Sequence, residues 1–581
     1  MAPGSALDRI PGGYQAFAVV AAIRRRAGLE WRASPLNHWR LASPAPEGLA
    51  ATPKDFRLAQ RENGARILAG GFQFNGETLA SGPRGDPWDR PAPSRRFAEA
   101  LHGFGWLKDL TLLDEPGAWE GLRLTLAWRR LFGRWNAFAW TPEVLERRVF
   151  NLACHARAVC GPASEAEAEE IAGDLARQAR FLIELDEGPA RASERAAVAA
   201  VAGAALAGPA GEGLLERAMG GLRRALPHTV RPDGAHASRS PQAALELYFD
   251  LLTLEDALAQ LCAPVPDEMV RALEGLAGAV RAFTLADGRL ASFQGGDSLS
   301  APYVAAARAA DRAAVAPAVI GGYSRLETRS LQVMVDGATP AAGAWSVAAC
   351  AQPLALELLA GGRRIIVNSG WSPAMHAPQA LRLVDAASTL ALAEDACGEP
   401  LSGFAADWLG PRLRDLPQAR EVRRHEAEGA VWLQLEHDGW LRGHGLRHER
   451  RLYLDREADE LRGEDRLTPA ARRTDEEGRR FAPFVVRFHL APQVSALIAR
   501  DRKSVLLKAE GEETGWWLRN DALEVSLEPS VTYQDGLARH GEQIVLRGQA
   551  RLDAGARVRW KLSAAHSLSE PARVDAAEVA A

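Results

Sequence analysis

No stretch of this chain approaches the ~20 uninterrupted apolar residues that a membrane-spanning helix needs. The apolar run at 16–23 precedes Arg24-Arg25-Arg26, so it is too short for a span and carries its charges on the wrong side for a signal peptide. Taken literally, that predicts no membrane span, no export signal and a cytoplasmic location. Cysteine is scarce. The five residues at 154, 160, 262, 350 and 397 form an odd set without metal-type CxxC spacing, which reads as buried or free thiols. Charge of one sign is lacking too: 70 Lys and Arg against 74 Asp and Glu leave a formal net charge of -4. Without a global positive field the chain is not expected to bind nucleic acid, and an anionic ligand must be held by local arginines. No internal repeat or low-complexity segment stands out.

What is present is the composition of an ordinary globular protein, 47% hydrophobic and 25% charged over 581 residues, which is too long for one compact core. Residues 1–93 read as an irregular segment rich in Pro, Gly and Trp. From 94 to 316 the period is helical. Ser164-Glu165-Ala166-Glu167 is a capping-box signature, and Val270, Leu273, Ala277, Val280 and Phe283 form a stripe at three-to-four spacing. Six or more helices in series predict an all-α toroid or bundle. From 317 to 581 the period is two: Val431, Leu433 and Leu435 alternate with Trp432, Gln434 and Glu436. Similar runs around 451–454, 485–490, 504–508, 542–546 and 558–562 predict an antiparallel sandwich, with a charge-dense solvated loop over 468–480.

The most informative stretch runs from Val347 through Cys350-Ala351-Gln352 to Leu354-Ala355-Leu356-Glu357-Leu358, then Arg364-Ile365-Ile366-Val367-Asn368-Ser369-Gly370. It reads as two strands joined by the turn Ala360-Gly361-Gly362-Arg363. With Leu101-His102-Gly103-Phe104-Gly105-Trp106-Leu107, Asp233-Gly234-Ala235-His236, Gly322-Tyr323-Ser324-Arg325-Leu326, Ala386-Ala387-Ser388-Thr389 and His437-Asp438-Gly439-Trp440, it resembles the heparinase II/III-like polysaccharide lyases. The resemblance implies an incomplete (α/α) toroid followed by a large antiparallel β-sandwich, and β-elimination on an acidic, uronate-containing polysaccharide or oligosaccharide. It also raises a periplasmic location as an alternative. Oligomeric state is unknown from the sequence.

That chemistry needs a group that neutralises the uronate, a base for the C5 proton and an acid for the leaving oxygen. The resemblance maps the family's catalytic His onto Ala348 and its three zinc ligands onto Cys350, Asn368 and Ala387. Its catalytic Tyr falls on Ala243 and a Glu on Ser238. A thiol, an amide and a methyl group do not make a zinc site, so no metal and no other cofactor is expected. The residues left as candidate proton-transfer groups are His236, His437 and Tyr248. Candidates for substrate binding are Arg239, Asn151, His155, Arg442 and His448. Each has a plainer alternative: a capped turn for His236 and Arg239, core packing for Tyr248 and His155, a hairpin for the patch 437–448. Trp88, Trp106, Trp128, Trp135 and Trp140 read as core or as a sugar-stacking platform. Two functions follow as expectations: a polysaccharide lyase, or a non-catalytic glycan-binding or envelope-polysaccharide assembly protein on a lyase scaffold.

Overall fold

The computed structural model describes residue 26 and residues 28–185, 188–310, 315–372, 379–427, 429–470 and 480–565. Much of the charge-dense segment expected as a loop, and the apolar run at 16–23, lie outside these residues. Long helices occupy Asp114–Phe132, Pro142–Cys160, Glu165–Ile183, Ala192–Ala205, Pro209–Thr229, Pro241–Gln260 and Asp267–Phe283. Their starts follow local chemistry. Ser164 accepts the Glu167 N–H while the Glu167 carboxylate accepts the Ser164 N–H, completing the expected capping box. Ser240 caps the helix whose first residue is Pro241. The alanine-rich helix Ala192–Ala205 is buried from Ser193 to its end. Its small side chains let the helix Pro209–Thr229 approach so closely that a Cβ on Gly203 would stand 2.6 Å from the Leu215 nitrogen.

The described part of the segment 1–93 is more regular than expected. It holds the helices Pro35–Ala42 and Arg61–Leu68 and a hairpin of β1 (Gly71–Phe74) and β2 (Glu77–Ala80). Leu41, Ile67, Phe72 and Trp88 belong to the same apolar core as the toroid helices, and residues 47–51 exchange backbone hydrogen bonds with 204–207. Burial of scattered apolar residues against a partner helix orders this segment, which lacks a sustained period of its own.

The second half is two antiparallel sheets. One has eight strands in the order β11 (Ala419–Ala427), β12 (Ala430–His437), β13 (Leu446–Asp455), β14 (Glu460–Pro469), β21 (Ala556–Ala565), β18 (Gly515–Asn520), β17 (Ser504–Ala509), β16 (Val494–Ile498). The nine-stranded sheet runs β19 (Glu524–Gln534), β20 (Leu537–Arg551), β15 (Phe481–Leu490), β7 (Arg363–Val367), β6 (Leu356–Ala360), β5 (Leu331–Asp336), β4 (Tyr323–Glu327), β3 (Val319–Ile320), with β8 (Leu390–Leu392) also paired to β15. A separate two-strand ribbon joins β9 (Glu399–Pro400) to β10 (Leu413–Arg414). Between the two large sheets Leu433, Leu452, Leu461 and Trp560 meet Leu358, Ile366, Val486 and Leu546 in one core. The anticipated turn between β6 and β7 has Gly361 and Gly362 at φ 62° and 78°, the double positive-φ geometry that a tight hairpin requires.

Candidate functional site

Toroid and sandwich meet through Arg239. Its backbone sits at φ 63°, and its guanidinium crosses to the sandwich. There it donates to the carbonyls of Gly321 (2.9 Å), Ala338 (2.9 Å) and Thr339 (3.0 Å), pairs with the Asp336 carboxylate and stacks 4.7 Å over the Tyr323 ring. Asp336 also accepts from the Gln294 amide at 3.0 Å, and the Gln294 carbonyl oxygen accepts the Cys350 N–H at 3.1 Å. With four of its five N–H donors committed to the sandwich and 2% of its surface exposed, this guanidinium is not offered to a uronate. Arg239 is therefore a strut between the two halves, and its expected role as a substrate clamp is not supported.

His236, three residues earlier, turns the other way, into the toroid. Its Nδ1 accepts the Ser238 N–H at 3.2 Å and lies 2.7 Å from the Ser238 hydroxyl. That sets the proton on Nε2, which lies 3.4 Å from the Glu194 carboxylate without hydrogen-bond alignment. The ring edge meets Trp345 of the sandwich, centroids 5.7 Å apart. The residue is buried and both nitrogens face protein groups, so no lone pair is presented to a substrate. From Glu194 an alternating chain of charge runs across the toroid helices. Arg191 reaches Glu146 at 2.5 Å, Arg147 joins Glu146 and Asp250 at 2.8 Å each, and Arg57 joins Asp250 at 2.8 Å and Glu246 at 2.9 Å. Burial works to raise the Glu194 carboxyl, but His236 and Arg191 outweigh it and hold the group below its ordinary value. None of these charged residues stood out in the sequence, although Glu194 within an otherwise alanine-rich run is a signal in retrospect.

The patch 437–448 separates into an inside and an outside. His437 and His448 are cross-strand partners on β12 and β13 and point into the sandwich core. The Gly439 N–H donates to His437 Nδ1 at 3.1 Å, so His437 Nε2 donates to His448 Nδ1 at 3.0 Å and His448 Nε2 donates to Asp465 at 2.8 Å. Asp465 further accepts Arg450 Nε at 2.7 Å, Arg450 Nη2 at 3.1 Å and the Trp560 N–H at 2.9 Å. The remaining Arg450 nitrogen donates to the carbonyls of Leu354 and Ser388, tying one sheet to the other. Burial, with His448 and Arg450 nearby, depresses His437, and burial depresses His448 against the pull of Asp465. Burial opposes ionisation of Asp465, yet Arg450 and His448 hold it well below the carboxylate range. Neither histidine reaches solvent, which removes His437 as a base and His448 as a ligand-binding group. On the outside, Arg442 is paired with Asp415 and His444 with Asp395, both at 2.7 Å, beside a cleft of about 530 Å³. Of the expected site residues, Arg442 lies at an open cleft.

Of the remaining candidates, Asn151 and Tyr248 are buried and His155 is half-buried. Tyr248 is buried in the toroid, its hydroxyl 3.3 Å from the Ala310 carbonyl, five positions beyond Ala243. Asn151 donates to the Gly103 carbonyl at 2.7 Å and holds the turn before Trp106. His155 Nδ1 is 3.1 Å from the Thr111 hydroxyl, and burial pushes this histidine down to about 4. Trp88, Trp106, Trp128 and Trp140 are core residues with every indole N–H bonded internally, so they form no sugar platform.

The model of the heparinase II/III-like C-terminal domain matches residues 310–561. Over 562 residues the chain is 47% identical to FtsZ-localized protein C of Caulobacter vibrioides (strain NA1000 / CB15N), covering 96% of this chain and 97% of the relative. The crystal structure of heparinase III superposes with a TM-score of 0.67, at 13% identity, over 93% of this chain and 89% of that one. This chain belongs to the heparinase II/III-like family. The heparan sulfate lyase of Pedobacter heparinus shares the fold with a TM-score of 0.54, at 15% identity, over 96% of this chain and 91% of its own. The toroid-plus-sandwich architecture expected from the resemblance is the one observed.

Within that family fold, the positions assigned to reactive groups are filled by packing. A Cβ on Gly295 would stand 2.2 Å from the Ala348 carbonyl oxygen, so a toroid loop closes directly over the position onto which the resemblance maps the family's catalytic His. Burial pushes the Cys350 thiol up to about 11. The Asn368 amide donates to the Ser292 carbonyl at 3.3 Å and accepts the Ser388 N–H at 3.0 Å, and Ala387 is fully buried. A protonated thiol, a committed amide and a methyl group do not fit zinc. Among the described residues no group of three or more His, Cys, Asp or Glu is arranged to hold a metal ion.

Proposed function

We propose that this chain is a non-catalytic binding and assembly protein on a polysaccharide-lyase scaffold, and that it co-localises with FtsZ as its relative's name states of that protein. One observation carries the reading: the side chains left to move a proton, His236, His437 and Tyr248, are all buried and bonded to the protein itself. A base must reach the proton it takes, within hydrogen-bond distance or through one water. None of these three is in that position for lyase turnover, the reading that the family resemblance favours. Fold alone leaves function open, and the 47% relative supports a localised binding role more directly than the 13% identical lyase supports catalysis.

The reading predicts that a fluorescent fusion of the whole chain overlaps FtsZ in the native host. His236→Gln, which keeps a hydrogen-bonding side chain but cannot act as a base, is expected to leave that pattern unchanged. A fusion distributed independently of FtsZ would overturn the localised role. Loss of the pattern in a folded His236→Gln protein would show that His236 chemistry matters after all.

A further inference from the structure

The alternation that buries one side of β13, β14 and β21 turns their remaining residues to the outer face of the eight-stranded sheet. A groove of about 550 Å³ lies on this face, with Trp432 and Tyr453 at one end and Arg519 and Asp521 at the other. None of the residues that the resemblance maps onto reactive groups lines it. On β21 the three outward residues between Ala556 and Leu562 are all cations, Arg557, Arg559 and Lys561, set opposite Arg466, Glu464 and Arg462 of β14.

The acids on this face are set deeper than the cations they pair with. The Glu460 side chain is 7% exposed, against 54% for Arg462 and 37% for Lys561, both of which it holds. Glu464 is likewise less exposed than Arg451 and Arg557, and Asp521 less than Arg559. A partner approaching the sheet therefore meets guanidinium and ammonium groups before carboxylates, and ion pairs at such a surface exchange at little cost. Three arginines also sit over rings of the same face: Arg423 over Trp432 at 5.5 Å, Arg462 over Tyr453 at 5.4 Å and Arg519 over Trp517 at 5.6 Å. The rings restrict these side chains in advance, so less freedom is lost when an anion binds. Each guanidinium also occupies the ring face that a sugar or a base would need for stacking.

We infer that this face docks an acidic segment of a partner protein, laid in extended form along β21. Two residues of a strand span about 6.6–6.8 Å, which is also the repeat of side chains on one side of an extended peptide. A segment with carboxylates at alternate positions thus brings one to each of Arg557, Arg559 and Lys561. Arginine forks suit carboxylate oxygens, and the paired acids beneath keep the cations upright and apart.

Fluorescence anisotropy of a labelled dodecapeptide of alternating glutamate and serine, titrated with the full chain at low salt, tests the assignment. Saturable binding that weakens as salt rises is expected. Affinity is expected to fall about tenfold in the double variant Arg557→Gln with Arg559→Gln, whose side chains are exposed and carry no fold contact beyond surface ion pairs. Arg363→Gln, a similarly exposed arginine of the other sheet, is expected to bind as the parent does. Oligothymidylate, hyaluronan and vesicles of four parts phosphatidylcholine to one part phosphatidylglycerol compete in the same assay. Absence of peptide binding overturns the assignment, as does equal binding by parent and double variant or equal loss in Arg363→Gln. Stronger competition by any of the three polyanions than by unlabelled peptide overturns it too.

Discussion

Asp336 is the residue on which the junction turns. It neutralises Arg239, accepts from Gln294 and has 1% of its surface exposed. Removing it leaves a guanidinium buried without a counter-charge, so Asp336→Ala is expected to cost about 3–5 kcal/mol, read as a lowered midpoint of urea unfolding. An unchanged midpoint would mean that Arg239 relaxes into solvent. His155 makes a pH prediction. Its folded value of about 4 lies below the ordinary 6.5, because burial penalises the charged ring. The native state therefore binds fewer protons than the unfolded chain between those values, and stability falls as pH drops through the window, by up to about 3 kcal/mol from this group. His155→Gln keeps the packing and removes the titration, so the loss of unfolding free energy from pH 6.5 to 4 is expected to be shallower. A slope identical to the parent's would remove His155 from the account.

At the scale of strands, each sheet carries the same device, a glycine facing an aromatic ring across a strand pair. Gly463 on β14 faces Trp560 on β21, and Gly548 on β20 faces Phe484 on β15. A Cβ at either glycine would stand 2.1–2.2 Å from ring carbons of a buried side chain. Trp560 is doubly held, since its N–H reaches Asp465. Gly463→Ala is therefore expected to destabilise by about 1–3 kcal/mol through overpacking, measurable as a lower thermal midpoint. Gain or neutrality would mean that the ring has room to move. The strands also show how much of the site was legible. Val431, Leu433 and Leu435 predicted one buried face of β12, and carried two residues further the same alternation puts His437 inside. On β13 the even positions His448, Arg450, Leu452 and Leu454 share the buried face. The period was strong enough to bury these histidines; residue chemistry alone suggested a surface patch. For His236 and Arg239 no such signal existed, because a loop has no period and their opposite orientations follow from contacts with Glu194 and Asp336, distant in sequence.

At the scale of the molecule, the change of period near residue 317 separated helices from strands, and the pair β6–β7 pointed to the family. Both depend on local patterns that survive substitution. The described residues among the first 93 resisted reading because their helices and hairpin pack on the toroid core. The same long-range packing surrounds the positions that the resemblance maps onto reactive groups: Gly295 closes over Ala348, Trp345 meets His236, and Asn368 is tied to Ser292 and Ser388. A scaffold so knitted together is held in shape by contacts at these positions. The most direct test is ultraviolet absorbance of the unsaturated uronate after incubating the purified chain with a panel of acidic polysaccharides. The account predicts a flat trace on every substrate, with and without added zinc. A steady rise proportional to protein concentration would contradict it.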